Sequence, residues 1–143
     1  MPTAMTDPLK SLKIKHGVLK RTKKDLLVYQ KEMEKVRNTV AKMKEDNKDP
    51  HDIKQQEEVL KETTDMVPET QKRLKEAYAD VEQLLALNFS DEMGKLPEEP
   101  IPEDAELSDL QKELAGVRTT MKDTREVLPD VAEVAGAAGE GEI

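Results

Sequence analysis

The sequence predicts an all-α fold, an antiparallel three-helix bundle with a proline-kinked second helix. Three observations carry this. Of the 143 residues, 38% are charged and 2% aromatic, with no Trp, one Phe and two Tyr, a composition typical of long helices and coiled coils. Leu, Val and Met recur at heptad spacing through two long stretches, as the seam between packed helices requires. Gly, Pro and Asn mark the joints between those stretches, where helices stop and restart.

The first helix is expected over about 8–46. Thr6 or Asp7 can cap it, and Pro8 suits the first helical position, where a missing N–H costs nothing. Leu12, Leu19, Leu26, Met33 and Val40 follow every seven residues, with Tyr29, Val36 and Met43 three residues behind. Asp46-Asn47-Lys48-Asp49-Pro50 reads as stop, turn and restart. Asn47 tolerates a left-handed backbone, Asp49 caps, and Pro50 opens the next helix.

The second helix is expected over 50–88, on Ile53, Leu60, Val67, Leu74 and Val81. Pro68 interrupts it at a cost of ~3 kcal/mol in a helix interior. The heptad phase passes unbroken from Val67 to Leu74, so a kink is expected rather than two helices broken at 65–68. Residues 90–102 carry Gly94, Pro97, Pro100 and Pro102 and read as a linker. A third helix is expected over 103–128, opened by Pro102 and acidic residues and closed by Pro129, with Leu107, Leu110, Leu114, Val117 and Met121 as its stripe. Two long helices leave an apolar groove that a third covers, a spectrin-repeat-like layout over residues 1–128. Residues 129–143, acidic and rich in Gly and Ala, are expected to form a disordered tail.

The composition excludes much chemistry. There is no Cys, hence no disulfide framework and no thiolate. His16 and His51 sit just inside different helix starts, cannot share a metal, and are expected on the surface. No glycine belongs to a phosphate-binding loop, and no Ser/His/Asp set suggests a nucleophile. The chain is therefore expected to be no enzyme and to use no cofactor and no metal. No segment reads as a signal peptide or a membrane span, and the expected setting is the cytosol.

The net charge of −8 is unevenly placed. Residues 7–48 hold 13 Lys/Arg against 6 Asp/Glu, a balance of +7, and residues 49–143 hold 10 against 25, a balance of −15. On the heptad, the outward positions of the first helix are mostly basic: Lys10, Lys13, Lys20, Arg21, Lys24, Lys31, Lys35 and Lys42. Ile14, Leu27 and Val28 stand among them, unused by the seam. Gly17 also faces outward, where it costs up to ~1 kcal/mol against Ala. Such a face suits an acidic partner with some apolar surface. Lysines that solubilise and pair with acidic neighbours account for it equally well.

The stretch LKIKHGVLKRTKKDLLVYQKE (12–32) resembles the first helix of the tubulin-specific chaperone A family, also called tubulin-folding cofactor A. HDIKQQEEVLKETTDMVPETQKRLKEAYADVEQLL (51–85) resembles its second. The joint spacing of Gly17, Tyr29, Pro68 and Tyr78 is the specific part of the match, which covers about residues 10–86. The linker is longer and richer in proline than the family pattern, and the third helix and tail fall outside the match.

The resemblance implies a cytoplasmic cochaperone, with association with microtubules left open. It implies that the chain holds β-tubulin folding intermediates before αβ-tubulin assembly and meets other tubulin-folding cofactors indirectly. Family members use no nucleotide and no metal. Outward charge and family match together give the candidate contact residues Ile14, Lys15, Gly17, Lys20, Arg21, Lys24 and Val28, with Lys54, Lys61 and Arg73 on the second helix. A monomer is expected, with neither nucleic acid nor membrane as partner. The competing expectation is a helical-bundle adaptor or coiled-coil scaffold with an unrelated acidic protein partner.

Overall fold

The computed structural model describes residues 7–132. Four helices follow in order: α1 (Pro8–Glu45), α2 (Pro50–Asn88), the short α3 (Ser90–Gly94) and α4 (Asp109–Val127). No strand occurs among the described residues. The chain divides into two compact units, one made of the residues up to Arg21 with those from Lys75 onward, the other of Thr22–Leu74.

The ends of α1 and the start of α2 follow the sequence chemistry. Asp7 caps α1, its carboxylate accepting from the Leu9 N–H at 3.0 Å. At the other end Asn47 takes φ 56°. Lys48 N–H donates to Met43 C=O at 2.9 Å and Asn47 N–H to Lys44 C=O at 3.2 Å. This pair of bonds satisfies carbonyls that a helix end leaves unpaired. Asp49 then caps α2, accepting from His51 N–H at 2.9 Å. Helix α2 runs through Pro68 without a break, and Pro68 has no N–H to return to the preceding turn.

The Thr22–Leu74 unit is a helical hairpin. Leu26, Val36, Val40, Thr70 and Leu74 are buried, while Met33, Met43, Ile53, Leu60 and Val67 remain partly exposed. Two helices alone cover only the stripe along which they touch.

The other unit is a three-helix bundle. Ile14 and Val18 of α1 line one groove with Ala77 and Asp80 of α2. Tyr78 and Lys75 of α2 meet Arg125 and Asp130 respectively, which sets α4 antiparallel to α2. Leu12, Leu19, Val81, Leu114 and Val117 are fully buried at its centre, each such side chain contributing about 1.5–3 kcal/mol relative to exposure.

The third long helix begins later than the expected residue 103. Pro102 opens one turn, with Ala105 N–H on Pro102 C=O at 3.1 Å. The helix itself starts after Ser108, whose hydroxyl accepts from Gln111 N–H at 3.1 Å while Gln111 Oε1 accepts from Ser108 N–H at 2.9 Å. This reciprocal capping box supplies two bonds that Pro102 cannot, and it leaves Leu107 of the expected stripe outside the helix.

Two further differences concern the loops. The proline-rich linker is packed down: Phe89 and Leu96 are buried on either side of α3. Packing also continues past 128, because Val131 is 1% exposed. The remainder of the expected tail, 133–143, lies outside the described residues, as do residues 1–6.

Candidate functional site

The candidate contact residues are described unit by unit. In the three-helix unit, the outward face of α1 carries Lys10, Lys13, Lys20 and Arg21, all exposed, with Lys15 half-buried. Ile14 is 60% and Val18 45% exposed. Ile14, Lys15 and Val18 line a shallow groove of about 150 Å³ with Ala77 and Asp80 of α2. Gly17 stands beside this groove, and a Cβ placed on it would meet nothing within 4 Å. The structure thus brings Ile14 and Lys15 into one depression and sets Gly17, Lys20 and Arg21 within two helical turns of it.

In the hairpin unit, Lys24, Leu27 and Val28 are exposed on α1, Val28 by 54%. The three candidates on α2 differ among themselves. Lys61 faces Asp65 at 3.4 Å. Arg73 donates to Thr70 Oγ1 at 3.4 Å. Lys54 is exposed on the first turns of α2. Lys61 and Arg73 therefore have neighbours on their own helix.

His16 is not on the surface. It is 7% exposed, with Nδ1 2.8 Å from Glu113 Oε2 and Nε2 2.7 Å from Thr120 Oγ1. An ionised carboxylate can only accept, so the network places a proton on Nδ1, and the Thr120 hydroxyl, able to donate or accept, pairs with Nε2. Gly116 lies beside the ring, where a Cβ would make ordinary contact with His16 Cε1 at 3.5 Å. The signal was in the sequence: His16 lies four residues after Leu12 and three before Leu19, on their face of the helix. The ring ties α1 to α4 and keeps that polar edge turned inward, away from the basic face.

Tyr78 is structural, as its seam position predicts: it is 3% exposed, and its hydroxyl accepts from Arg125 at 2.9 Å. Tyr29, in the hairpin unit, is only half-buried. Among the described residues there is no group of three or more His, Cys, Asp or Glu placed to hold a metal ion. Nor, among them, is any helix long and apolar enough to cross a membrane.

Residues 7–106 match the family model described as tubulin binding cofactor A. The chain belongs to that family. It is 44% identical over 82 residues to tubulin-specific chaperone A of Gallus gallus, covering 57% of this chain and 76% of that protein. To tubulin-folding cofactor A of Arabidopsis thaliana it is 39% identical over 109 residues, covering 76% of this chain and 89% of the relative. The crystal structure of the Arabidopsis thaliana cofactor is similar with a TM-score of 0.64 at 34% identity, covering 83% of this chain and 96% of that one. That share exceeds what α1, α2 and their turn contribute. The likeness of fold, like the 109-residue sequence match, therefore reaches past the first two helices.

Proposed function

We propose that this chain binds β-tubulin stoichiometrically and holds it as a folding intermediate before αβ-tubulin assembly, without chemistry of its own. It would act in the cytoplasm and meet other tubulin-folding cofactors only through the tubulin they share. The observation that carries this reading is the pairing of family membership with an exposed basic face on α1 in a chain of net charge −8. Oriented cations on an otherwise acidic protein attract an acidic partner and raise the association rate, while the aliphatic contacts set how long it stays. Ile14, Lys15, Gly17, Lys20, Arg21, Lys24 and Val28 form the primary contact set in this reading, with Lys54, Lys61 and Arg73 contributing less.

The test is capture of purified β-tubulin by the full chain and by a variant carrying Lys20→Glu, Arg21→Glu and Lys24→Glu, once circular dichroism shows equal helix content. These side chains are exposed, so the fold should tolerate the change. Capture is expected to fall at least about tenfold, because three attractions become repulsions. Undiminished capture by the variant would remove the basic face from the account. Light scattering is expected to show a monomer, since the seam of the three-helix unit is closed within one chain.

A further inference from the structure

Gly17 is the least explained residue of α1. Glycine in a helix interior destabilises it relative to alanine, so a helix that carries one ordinarily needs the space. A Cβ on Gly116 would make an ordinary contact with His16 Cε1 at 3.5 Å, whereas one on Gly17 would meet nothing within 4 Å. Among the described residues, no contact calls for glycine there. The site is nonetheless well furnished. One turn either side of Gly17 stand Lys13, Ile14, Lys20 and Arg21, all exposed. Beside it runs the groove lined by Ile14, Lys15, Val18, Ala77 and Asp80.

We infer that a helix of the acidic partner crosses α1 with its closest approach at Gly17, one apolar ridge seated in this groove and its carboxylates on Lys13, Lys20 and Arg21. The inference rests on the β-tubulin reading and names the kind of element that surface presents. An added strand is unsuited, because the backbone of α1 spends its N–H and C=O groups within the helix. A helix seats its ridges between the ridges of another, and interaxial distances fall to about 8 Å where the side chain at the crossing is small. The cations around the notch select acidic residues on the crossing helix.

Two substitutions test the inference. Gly17→Ala and Gly17→Leu should each raise the melting temperature of the free chain by about 2–6 °C, because both are better helix formers in open space. Both should weaken binding of purified β-tubulin, Gly17→Leu by about tenfold or more, chiefly through faster dissociation. A Gly17→Leu chain that melts higher and binds with unchanged affinity overturns the crossing. If Lys20→Glu with Arg21→Glu still weakens binding in that case, the broader reading stands without it. A wild-type chain that fails to bind β-tubulin overturns both. The sequence holds no cysteine, so Lys13→Cys gives a single attachment point for a photo-crosslinker. Crosslinks are expected on an acidic helix of β-tubulin, and crosslinks confined to strands or loops would overturn the crossing as well.

Discussion

Leu12 and Leu19 of α1 lie in the three-helix unit and are wholly buried. At the equivalent heptad positions of the hairpin unit burial is mixed: Leu26 and Val40 of α1 are buried, while Met33 of α1 and Ile53 and Leu60 of α2 stay partly exposed. The same repeat thus gives two degrees of burial. A heptad fixes which side chains face a neighbouring helix, and the number of neighbours fixes how much water they lose. In α1 the difference shows in the stripe itself. The hairpin unit buries Leu26, Val36 and Val40, the positions of a two-helix seam, and the three-helix unit adds His16 to Leu12 and Leu19 because α4 covers a second edge.

This comparison is most exposed to a pair of core truncations. Leu114→Ala, in the three-helix unit, is expected to cost about 2–5 kcal/mol, since it opens a cavity at a fully buried site. Leu60→Ala, half-buried in the hairpin unit, is expected to cost about 1–2 kcal/mol, in proportion to the area it covers. Urea denaturation followed by circular dichroism measures both, and equal losses would break the comparison.

A smaller effect sharpens it. His16→Ala leaves the Glu113 carboxylate and the Thr120 hydroxyl without their shared partner, at a cost of about 1–3 kcal/mol. A double-mutant cycle with Glu113→Ala should return a coupling of about 1 kcal/mol or more, as expected of residues in one hydrogen-bond network. Additive losses would mean that the contact is incidental. Smaller again is Ser108→Ala, which removes one half of the capping box and should cost about 1 kcal/mol in a thermal melt.

The fold was legible where local rules act alone. Asp7, Asn47, Asp49 and Pro50 all do what their chemistry dictates, and the unbroken phase across Pro68 distinguished one helix from two. Legibility fell where tertiary contacts decide. His16 read as a surface residue because the seam was drawn for two helices, and only α4 makes its edge an interior. Leu96 read as linker because prolines surround it, although it is apolar and buries. The Ser108-x-x-Gln111 capping box, rather than the proline at 102, starts the third long helix. The candidate contact face was legible as exposed and basic from periodicity alone. The groove beside Gly17 was not, since it needs Ala77 and Asp80 from a helix distant in sequence.

In the proposed function, the exposed cations of α1 steer β-tubulin toward that face. The most direct measurement is the association rate constant for purified β-tubulin as a function of salt, for the full chain and for the chain with Lys20→Glu, Arg21→Glu and Lys24→Glu. Steering by exposed charges is screened once the Debye length falls below about 10 Å, near 0.1 M salt. The account predicts that the wild-type rate falls steeply with salt and that the variant starts about tenfold or more lower with a flatter dependence. Equal rates for the two chains at every salt concentration would contradict it.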